Sequence, residues 1–591
     1  MPRRTLVGLL ATIAVIAAPT AAAAGGPPYQ HTPQPVAQGT GGSAATADSV
    51  ATTAATDALR AGGNAVDAAV AAAAVLGVTE PFSSGIGGGG FMIIRTPDGK
   101  VTTIDSREKS PAAMQPDSFF VDGVPPDPSD PAQFAFARYS GLSAGVPGTV
   151  AGWDHALREY GTWSLDRALQ RGIDVARKGF VIDKTFYEQA QDNADYFDDI
   201  RSSEKLYLDS DGTAHDIGTV QRNPGLARAY KRIARLGVKG FYSGAIARAL
   251  TRAVLEPPLT RDANHIWRPG LMTLGDLCDY TAPEREPTHV DYRGLDVYGM
   301  GPPSSGGSTV GEALNILEEA RPPWETLTKT QKYHWFLEAS RFAFADRGAF
   351  LGDPAFSDIP LEGLLSQDYA KERAALIDPA KAQPGAVPPG DPEGDALRST
   401  THLTVADAEG TIVSYTFTIE STGGNGIVVP RWGFLLNNEL TDFDINKLDH
   451  PNSPDGGKRP RSSIAPTIVL RDDVPVLATG TPGGSTIITT VLQILLERFD
   501  LGKTLPQAIA APRAAQRNGA TTQAEPAFIA SPEGQQLASA FGHNFVTPSL
   551  SPPTNGEIGA ATGIEFLDGG DMLAAAEPVR RGGGSAQVVS P

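Results

Sequence analysis

A pair of threonines, Thr400 and Thr401, lies where an irregular segment of the chain gives way to a strand. Residues 384–394 before the pair are rich in proline, glycine and charge, whereas apolar and polar residues alternate after it, as in a β-strand. A chain cut before Thr400 would present a threonine hydroxyl as nucleophile beside its own α-amine as base. β-Propensity alone also explains a Thr-Thr pair at the start of a strand, so the choice depends on the rest of the chain.

Two adjacent glycines, Gly483 and Gly484, precede a predicted amphipathic helix over 485–499. Backbone N–H groups just ahead of a helix, together with the helix dipole, favour negative charge. The glycines are therefore candidates to stabilise an oxyanion during acyl transfer. Ser485 is placed to cap the helix.

Groups of opposite charge occur in the same part of the chain. Ser462 and Ser463 end the cationic run Lys458–Ser463, which suits a carboxylate ligand. The acidic side chains that suit an ammonium ligand are Glu420, Glu439 and Asp442. Charge-assisted hydrogen bonds fix the orientation of a ligand that carries both charges. A pocket with these two sets describes an α-amino acid ligand.

Upstream, a glycine run leads into a predicted β-hairpin over 91–94 and 101–104. The run 85–90 matches G-x-G-x-x-G, but a helix and a proline precede it and a strand follows it, so a dinucleotide site is excluded. We expect these glycines to let backbones approach closely. Arg107 follows the hairpin, and the pattern alone leaves both a structural salt bridge and a ligand role open for it.

The predicted elements place strands between groups of helices. Helices are predicted over 47–60, 65–76, 146–160, 165–178, 224–236, 244–255, 309–320 and 331–347. Strands are predicted after Thr400 over 401–406, 411–419, 433–436, 464–470 and 476–479. An exposed, proline-rich linker is expected over 378–399. This order suggests stacked sheets covered by helices.

Length and composition limit the class of protein. The chain has 591 residues, too many for one hydrophobic core, and a formal net charge of −18, which disfavours nucleic acid and anionic membranes as partners. Cys278 is the only cysteine, so a disulfide framework and a cysteine metal cluster are excluded.

The N-terminus has the pattern of an export signal. Arg3-Arg4, a short apolar run and a small-residue tract predict a signal peptide over 1–24. The arginine pair also suits a twin-arginine signal. A retained membrane anchor is the alternative, disfavoured because the apolar run is short. A disordered tether is expected over 25–46, and we expect a secreted or periplasmic protein without a stable membrane span.

Short motifs follow one another in a recognisable order. They are Glu80-Pro81, Gly85–Phe91, Asp105–Glu108, Glu338–Arg347, Thr400–His402, Tyr415–Thr418, Leu435–Phe443, Lys458–Ser463 and Thr481–Ser485. Together they resemble the γ-glutamyltransferase (γ-glutamyltranspeptidase) family of N-terminal-nucleophile hydrolases. The resemblance implies a mixed α/β (α+β) fold, a four-layer αββα sandwich. It also implies a precursor that cleaves itself between Ser399 and Thr400 into a large subunit, 47–399, and a small subunit, 400–591, which form a heterodimer.

The resemblance further implies roles for the candidate residues. The catalytic set is the nucleophile Thr400, its hydrogen-bonded neighbour Thr418, and the oxyanion-hole glycines Gly483 and Gly484. The γ-glutamyl α-carboxylate is held by Arg107, Ser462 and Ser463, and the α-amino group by Glu420, Glu439 and Asp442. The implied reaction transfers the acyl group of a γ-glutamyl donor such as glutathione to water or to an amine. It needs neither a metal nor an organic cofactor, because the α-amine, with a pKa of about 7.7–8.0, is a usable base at neutral pH.

Two features depart from the pattern of some family members. Only residues 444–457 separate Phe443 from Lys458, and none of them is tyrosine, so the lid loop over the donor pocket is expected to be absent. An open site, prominent hydrolysis and larger γ-glutamyl donors or polymers follow as predictions. Arg461 stands where an apolar residue is expected beside Ser462.

Two other functions compete with this interpretation. The first is an acylase of the same fold that removes a glutaryl group from a β-lactam side chain, but glutaryl has no amino group to engage the three acidic side chains. The second is an uncleaved, catalytically inactive secreted binding protein, against which the intact Thr400 and the glycine pair argue.

Overall fold

The structure is a computed structural model and describes residues 28–388, 400–548 and 556–590. Its strands are β1 Val36–Gly39, β2 Ser43–Thr46, β3 Gly89–Arg95, β4 Val101–Asp105, β5 Phe180–Val181, β6 Val220–Gln221, β7 Glu284–Arg285, β8 Thr288–Asp291, β9 Asp296–Gly299, β10 Thr400–Ala406, β11 Ile412–Thr418, β12 Thr467–Arg471, β13 Val474–Gly480, β14 Ala514–Ala515, β15 Thr522–Ala524, β16 Phe545–Val546, β17 Thr562–Phe566, β18 Met572–Ala576 and β19 Ser585–Val588.

The α-helices are α1 Ser49–Arg60, α2 Ala65–Thr79, α3 Pro131–Arg138, α4 Thr149–Tyr160, α5 Leu165–Lys178, α6 Lys184–Asp192, α7 Ala194–Phe197, α8 Arg201–Tyr207, α9 Pro224–Leu236, α10 Lys239–Tyr242, α11 Gly244–Leu255, α12 Leu274–Cys278, α13 Gly306–Glu318, α14 Lys329–Phe350, α15 Leu361–Leu364, α16 Gln367–Ala374, α17 Thr486–Leu495, α18 Leu505–Ala510, α19 Pro526–Ile529 and α20 Pro532–Ser539. Among the residues described, no helix combines the length and the apolar character that crossing a membrane requires.

Two antiparallel seven-stranded sheets form the centre of the molecule. The front sheet has the order β19-β2-β10-β11-β3-β4-β7, and the back sheet has the order β1-β18-β17-β13-β12-β9-β8. Side chains from the two sheets meet in one buried cluster, in which Ile93 and Ile412 of the front sheet join Ile468 and Ile564 of the back sheet. The sheets are therefore stacked face to face.

Helices cover the outer face of each sheet. The front sheet packs against a cluster that includes α1, α2, α4, α5 and α9, and the back sheet packs against α13, α14, α17 and α18. Helix α2 is buried along its whole length. Alanine and valine make up most of it, so it has no polar face to turn towards solvent. Asn64 caps it by accepting from the backbone of Val66 and Asp67. The layers confirm the predicted αββα sandwich.

Both sheets mix strands from before and after Thr400. In the front sheet, β10 and β11 lie between β2 and β3, and β10 pairs with β2 while β11 pairs with β3. In the back sheet, β12 pairs with β9, which also comes from before Thr400. Neither part of the chain can complete a sheet without the other.

Four sequence predictions differ from the structure. The range 25–46 is not a disordered tether from residue 36 onward, because β1 pairs with β18 and β2 pairs with β10. The Pro, Gln and Gly content therefore predicted disorder wrongly here. The range 433–436 forms only an isolated bridge between Leu435 and Val428, at the base of a tight turn.

Ser485 makes no capping bond to its helix, since it adopts helical backbone angles and its hydroxyl accepts from Arg517 instead. In the described part of the predicted exposed linker, Ala382 and Val387 are buried, and Val387 N donates to Asn518 Oδ1 at 2.7 Å. The signal peptide over 1–24, the linker residues 389–399 and Ser399 lie outside the described residues.

Candidate active site

Strand register places Thr400 beside Thr418. Thr400 starts β10, and its Cα is the direct partner of Thr418, the last residue of β11. The two side chains lie on the same face of the sheet, with Oγ1 to Oγ1 at 3.5 Å. Thr418 Oγ1 also accepts from the backbone N–H of Glu420 at 2.8 Å. The predicted neighbour of the nucleophile is thus held in place by the turn that follows β11.

Alternation along β10 directs Thr400 into the gap between the two sheets. His402, two residues on, faces the back sheet so closely that a Cβ on Gly480 would lie 2.4 Å from its ring. His402 hydrogen-bonds to Thr416 and Thr404 at 2.7 and 3.1 Å, and burial lowers its pKa to about 3. Histidine 402 is therefore a neutral packing residue beneath the site.

Glu420 turns back towards the site through an unusual backbone angle. Its φ is +76°, a left-handed conformation that costs energy for a residue with a side chain and that is frequent at functional sites. Its carboxylate accepts from the Ser421 hydroxyl and from the Asn438 side-chain amide. These bonds hold the carboxylate over the end of β11.

Arg107 lies at the centre of the charged cluster. Its guanidinium contacts the carboxylates of Glu439 and Asp442, and it donates to the carbonyls of Pro460 at 3.2 Å and Arg461 at 3.1 Å. Its own carbonyl accepts from Tyr280 OH at 2.7 Å. The side chains predicted to bind opposite ends of a zwitterion are therefore adjacent.

Burial governs the charge state of this cluster. Burial opposes the charge of Arg107, but Glu439 and Asp442 outweigh it and raise its pKa, so the guanidinium stays protonated. Burial raises the pKa of Glu439 well above its ordinary value, although Arg107 opposes this. Burial likewise raises the pKa of Glu108, to about 7. Buried carboxyl groups outnumber the cation here, so a second cation bound beside them would favour their ionised forms.

Ser462 and Ser463 are held from behind by the large helices. Ser462 O accepts from Ser305 N at 2.8 Å, and Ser462 Oγ accepts from Ile464 N at 3.2 Å. Ser463 Oγ accepts from Arg347 Nη2 at 2.7 Å. The strand-like segment that carries both serines is thereby fixed to α13 and α14.

Gly483 and Gly484 follow the end of β13, which lies across the sheet gap from β10. Their φ angles are +137° and +58°, which favour glycine because a Cβ would clash. The carbonyls of both residues accept from the first turn of α17, Gly483 O from Thr486 N at 3.2 Å and Gly484 O from Ile487 N at 3.1 Å. The carbonyls point to the helix, and the pair sits at its N-terminal end.

One small cavity joins these groups. Its lining residues are Arg107, Thr400, Thr418, Glu420, Glu439, Asp442, Ser462, Ser463, Ile464, Gly484 and Ile487. Of the predicted site residues within the described chain, Gly483 alone is not in the lining. Sequence reasoning missed Ile464, which begins a predicted strand, and Ile487, which lies within a predicted helix. Their apolar character marked both residues only as core.

Arg461 does not enter the cavity lining. It reaches the carbonyls of Arg347 and Leu351 at 3.4 and 3.2 Å and Asp444 Oδ2 at 3.4 Å. Despite burial, Arg461 and His450 hold the pKa of Asp444 below its usual range. Arg461 therefore anchors the short segment 444–457. This is the segment that is predicted to lack a lid loop.

Stacked antiparallel sheets between helical layers, with a threonine at the start of a central strand, define an N-terminal-nucleophile hydrolase. The γ-glutamyltranspeptidase family model matches residues 51–587. The glutathione hydrolase proenzyme of Bacillus subtilis (strain 168) is 39% identical over 493 residues, covering 80% of each chain. The chain belongs to the γ-glutamyltranspeptidase family, and it is an enzyme of the γ-glutamyltransferase and glutathione hydrolase class.

Acylases are also similar to the chain. The acylase ACY 1 proenzyme of Pseudomonas sp. (strain SE83) is 34% identical over 567 residues, covering 93% of this chain and 96% of its own. The crystal structure of cephalosporin acylase from Bacillus halodurans superposes with a TM-score of 0.78 at 26% identity, covering 95% of this chain and 98% of that chain. The fold is thus shared by both activities.

Proposed function

We propose that this protein matures by cutting itself before Thr400 and then hydrolyses or transfers γ-glutamyl groups. One observation supports this most directly: a single cavity brings Thr400 together with an arginine, two serines and three acidic side chains. A γ-glutamyl group carries a carboxylate, an ammonium and an acyl carbon on one short skeleton. The threonine corresponds to the acyl carbon, the arginine and serines to the carboxylate, and the acidic side chains to the ammonium.

Maturation requires that Thr400 Oγ1 attack the carbonyl carbon of Ser399. The bond from that carbon to Thr400 N breaks, the nitrogen takes a proton, and an ester links the Ser399 carbonyl to Thr400 Oγ1. Water then hydrolyses the ester, which leaves Ser399 as a C-terminus and Thr400 with a free α-amine. Because the sheets interleave the two parts of the chain, the products stay together as a heterodimer.

Turnover then uses the new α-amine as base. The amine takes the Thr400 hydroxyl proton as Oγ1 attacks the γ-carbonyl, and the resulting oxyanion lies at the N-terminal end of α17 with Gly483 and Gly484. Collapse breaks the C–N bond, and the departing amine takes the proton from the α-ammonium. Water or an acceptor amine repeats the steps in reverse on the acyl-threonine ester.

The donor is held at its amino acid end. Arg107, Ser462 and Ser463 engage the α-carboxylate, while Glu420, Glu439 and Asp442 engage the α-ammonium. The ammonium acts as a second cation beside the buried carboxyl groups and stabilises their ionised forms. We infer that glutathione-like compounds are donors, and that export by the predicted signal peptide places the enzyme outside the cytoplasm.

Two measurements test the proposal. Denaturing electrophoresis with N-terminal sequencing is expected to show two chains, the smaller starting Thr-Thr-His-Leu; one intact chain in active protein would refute the maturation step. Release of p-nitroaniline is expected to be faster from the γ-glutamyl than from the glutaryl derivative. The similarity to acylases makes the glutaryl donor the relevant competitor, and faster glutaryl turnover would assign the enzyme to that activity instead.

A further inference from the structure

Behind the two serines, a set of hydrogen bonds joins three separate parts of the chain. Arg347, on α14, donates from Nη2 to Ser463 Oγ at 2.7 Å and from Nε to Ser305 Oγ at 2.8 Å. Ser305, which precedes α13, donates from its hydroxyl and its backbone N to Ser462 O. Arg347 is only 6% exposed, so water does not compete for these bonds.

The direction of each bond is fixed by chemistry. A guanidinium only donates, so Ser463 Oγ accepts from Arg347, and its own proton is available for another acceptor. Ser462 Oγ likewise accepts from Ile464 N, and its proton is also available. Both side chains line the cavity with Thr400. Each hydroxyl can thus donate to a ligand whose oxygens only accept, which describes a carboxylate.

We propose that Arg347 is a positioning residue for the donor's α-carboxylate. It fixes Ser463 as a hydrogen-bond donor towards the cavity and, through Ser305, holds the backbone of Ser462. The inference rests on the proposed function. Without Arg347, the Ser463 hydroxyl can rotate and present a lone pair to the carboxylate, which repels it. Arg347 precedes Thr400 in the chain and Ser463 follows it. A residue of the large subunit would therefore orient a carboxylate-binding serine of the small subunit.

A purely structural arginine would link α14 to its neighbours without any effect on substrate choice. The test therefore compares three p-nitroanilides. The γ-glutamyl donor has both the carboxylate and the ammonium, the glutaryl donor has only the carboxylate, and the 4-aminobutanoyl donor has only the ammonium. The ratio of kcat/KM between two donors does not depend on how much of a variant has matured.

The variants are Arg347→Gln, Arg347→Lys and Ser463→Ala, with Arg341→Lys as the matched control. Arg341 lies on the same helix, is 2% exposed, and donates to the carbonyls of Gly385 and Gly519, away from the cavity. We expect Arg347→Gln to lower kcat/KM about 10-fold to 30-fold for the two carboxylate donors, mainly through KM. The 4-aminobutanoyl donor should change less than threefold, and Arg347→Lys should recover part of the loss.

The double variant Arg347→Gln with Ser463→Ala completes the test. If Arg347 acts in part through Ser463, the double variant loses less than the sum of the two single losses. Equal losses for all three donors, additive losses in the double variant, or the same donor selectivity in Arg341→Lys would each overturn the inference. Wild-type enzyme that prefers the glutaryl donor would overturn the γ-glutamyl function while leaving the Arg347 inference to be judged on that donor.

Discussion

Arg107 gives the sharpest test of how the charged cluster works. Within the described chain, its guanidinium gives one N–H to Glu439, one to Asp442 and two to the carbonyls of Pro460 and Arg461. A guanidinium has five N–H groups, so one of them remains for the α-carboxylate of a donor. Arg107→Gln removes that donor and also leaves two buried carboxylates without their cation.

Two separate losses follow from this count. Removing a charge-assisted hydrogen bond costs about 1.5–3 kcal/mol, so kcat/KM for the γ-glutamyl donor should fall about 10-fold to 150-fold. Breaking a buried ion pair from one side costs about 3–5 kcal/mol of stability, so the variant should also unfold at a lower temperature. The 4-aminobutanoyl donor should lose little or gain, because its ammonium takes the place of the missing cation.

The assay combines kcat/KM for the three p-nitroanilides with thermal unfolding of the matured enzyme. Arg459→Lys is the control, because Arg459 is also buried, contacts Asp105 at 3.4 Å and does not line the cavity. If Arg107→Gln retains wild-type selectivity for carboxylate donors, or lowers kcat/KM for all three donors to the same extent, Arg107 does not bind the carboxylate. Unchanged thermal stability would show that the ion pairs with Glu439 and Asp442 are not formed.

Three further results are expected. Thr400→Ala should remain one chain on a denaturing gel and should release no p-nitroaniline, and a processed Thr400→Ala protein would contradict the assignment of the nucleophile. KM for the γ-glutamyl donor should rise as pH is lowered, because burial raises the pKa of Glu439 and its protonated form binds an ammonium poorly; the glutaryl donor and Glu439→Gln should show no such rise, and a parallel rise in them would remove Glu439 from the explanation. Burial, with smaller contributions from His334 and Arg341, lowers the pKa of His543 to about 3, so the stability that neutral His543 contributes is complete above its unfolded pKa of about 6.5 and is lost as pH falls towards 3. At about 1.4 kcal/mol per pH unit this amounts to roughly 2–3 kcal/mol at pH 4.5, and thermal melts of His543→Gln should be less sensitive to acid than wild type; equal sensitivity would mean that His543 is protonated in the folded protein.

Much of the site could be predicted because its residues lie in short local motifs. Alternation of apolar and polar residues predicted the strands over 401–406 and 411–419, and the antiparallel register of β10 and β11 in the structure pairs Thr400 with Thr418. The apolar pattern of 485–499 predicted the helix that Gly484 precedes. Local pattern failed where distant parts of the chain decide the structure. The strands β1 and β2 have few apolar residues, and they form because β18 and β10 offer unpaired backbone groups to them.

Arg107 and Arg347 show the same limit at the level of side chains. The sequence pattern left a salt bridge and a ligand role open for Arg107, and the structure shows that its ion-pair partners, Glu439 and Asp442, line the same cavity. Arg347 belongs to a helix whose sequence pattern predicts only packing against the core. Its contacts with Ser305 and Ser463 depend on how α13, α14 and the 462–463 segment meet, and no local spacing encodes that meeting.

The interleaved sheets also determine how the cleaved enzyme can refold. Before the cut, one covalent chain folds, and the search for partners is intramolecular. After the cut, β10 and β11 can regain β2 and β3 only by encounter with a second molecule. Denatured mature enzyme should therefore renature in a concentration-dependent reaction, slowly when dilute, whereas the uncut Thr400→Ala chain should renature at a rate independent of its concentration. Cleavage would thus turn an intramolecular folding reaction into a bimolecular one.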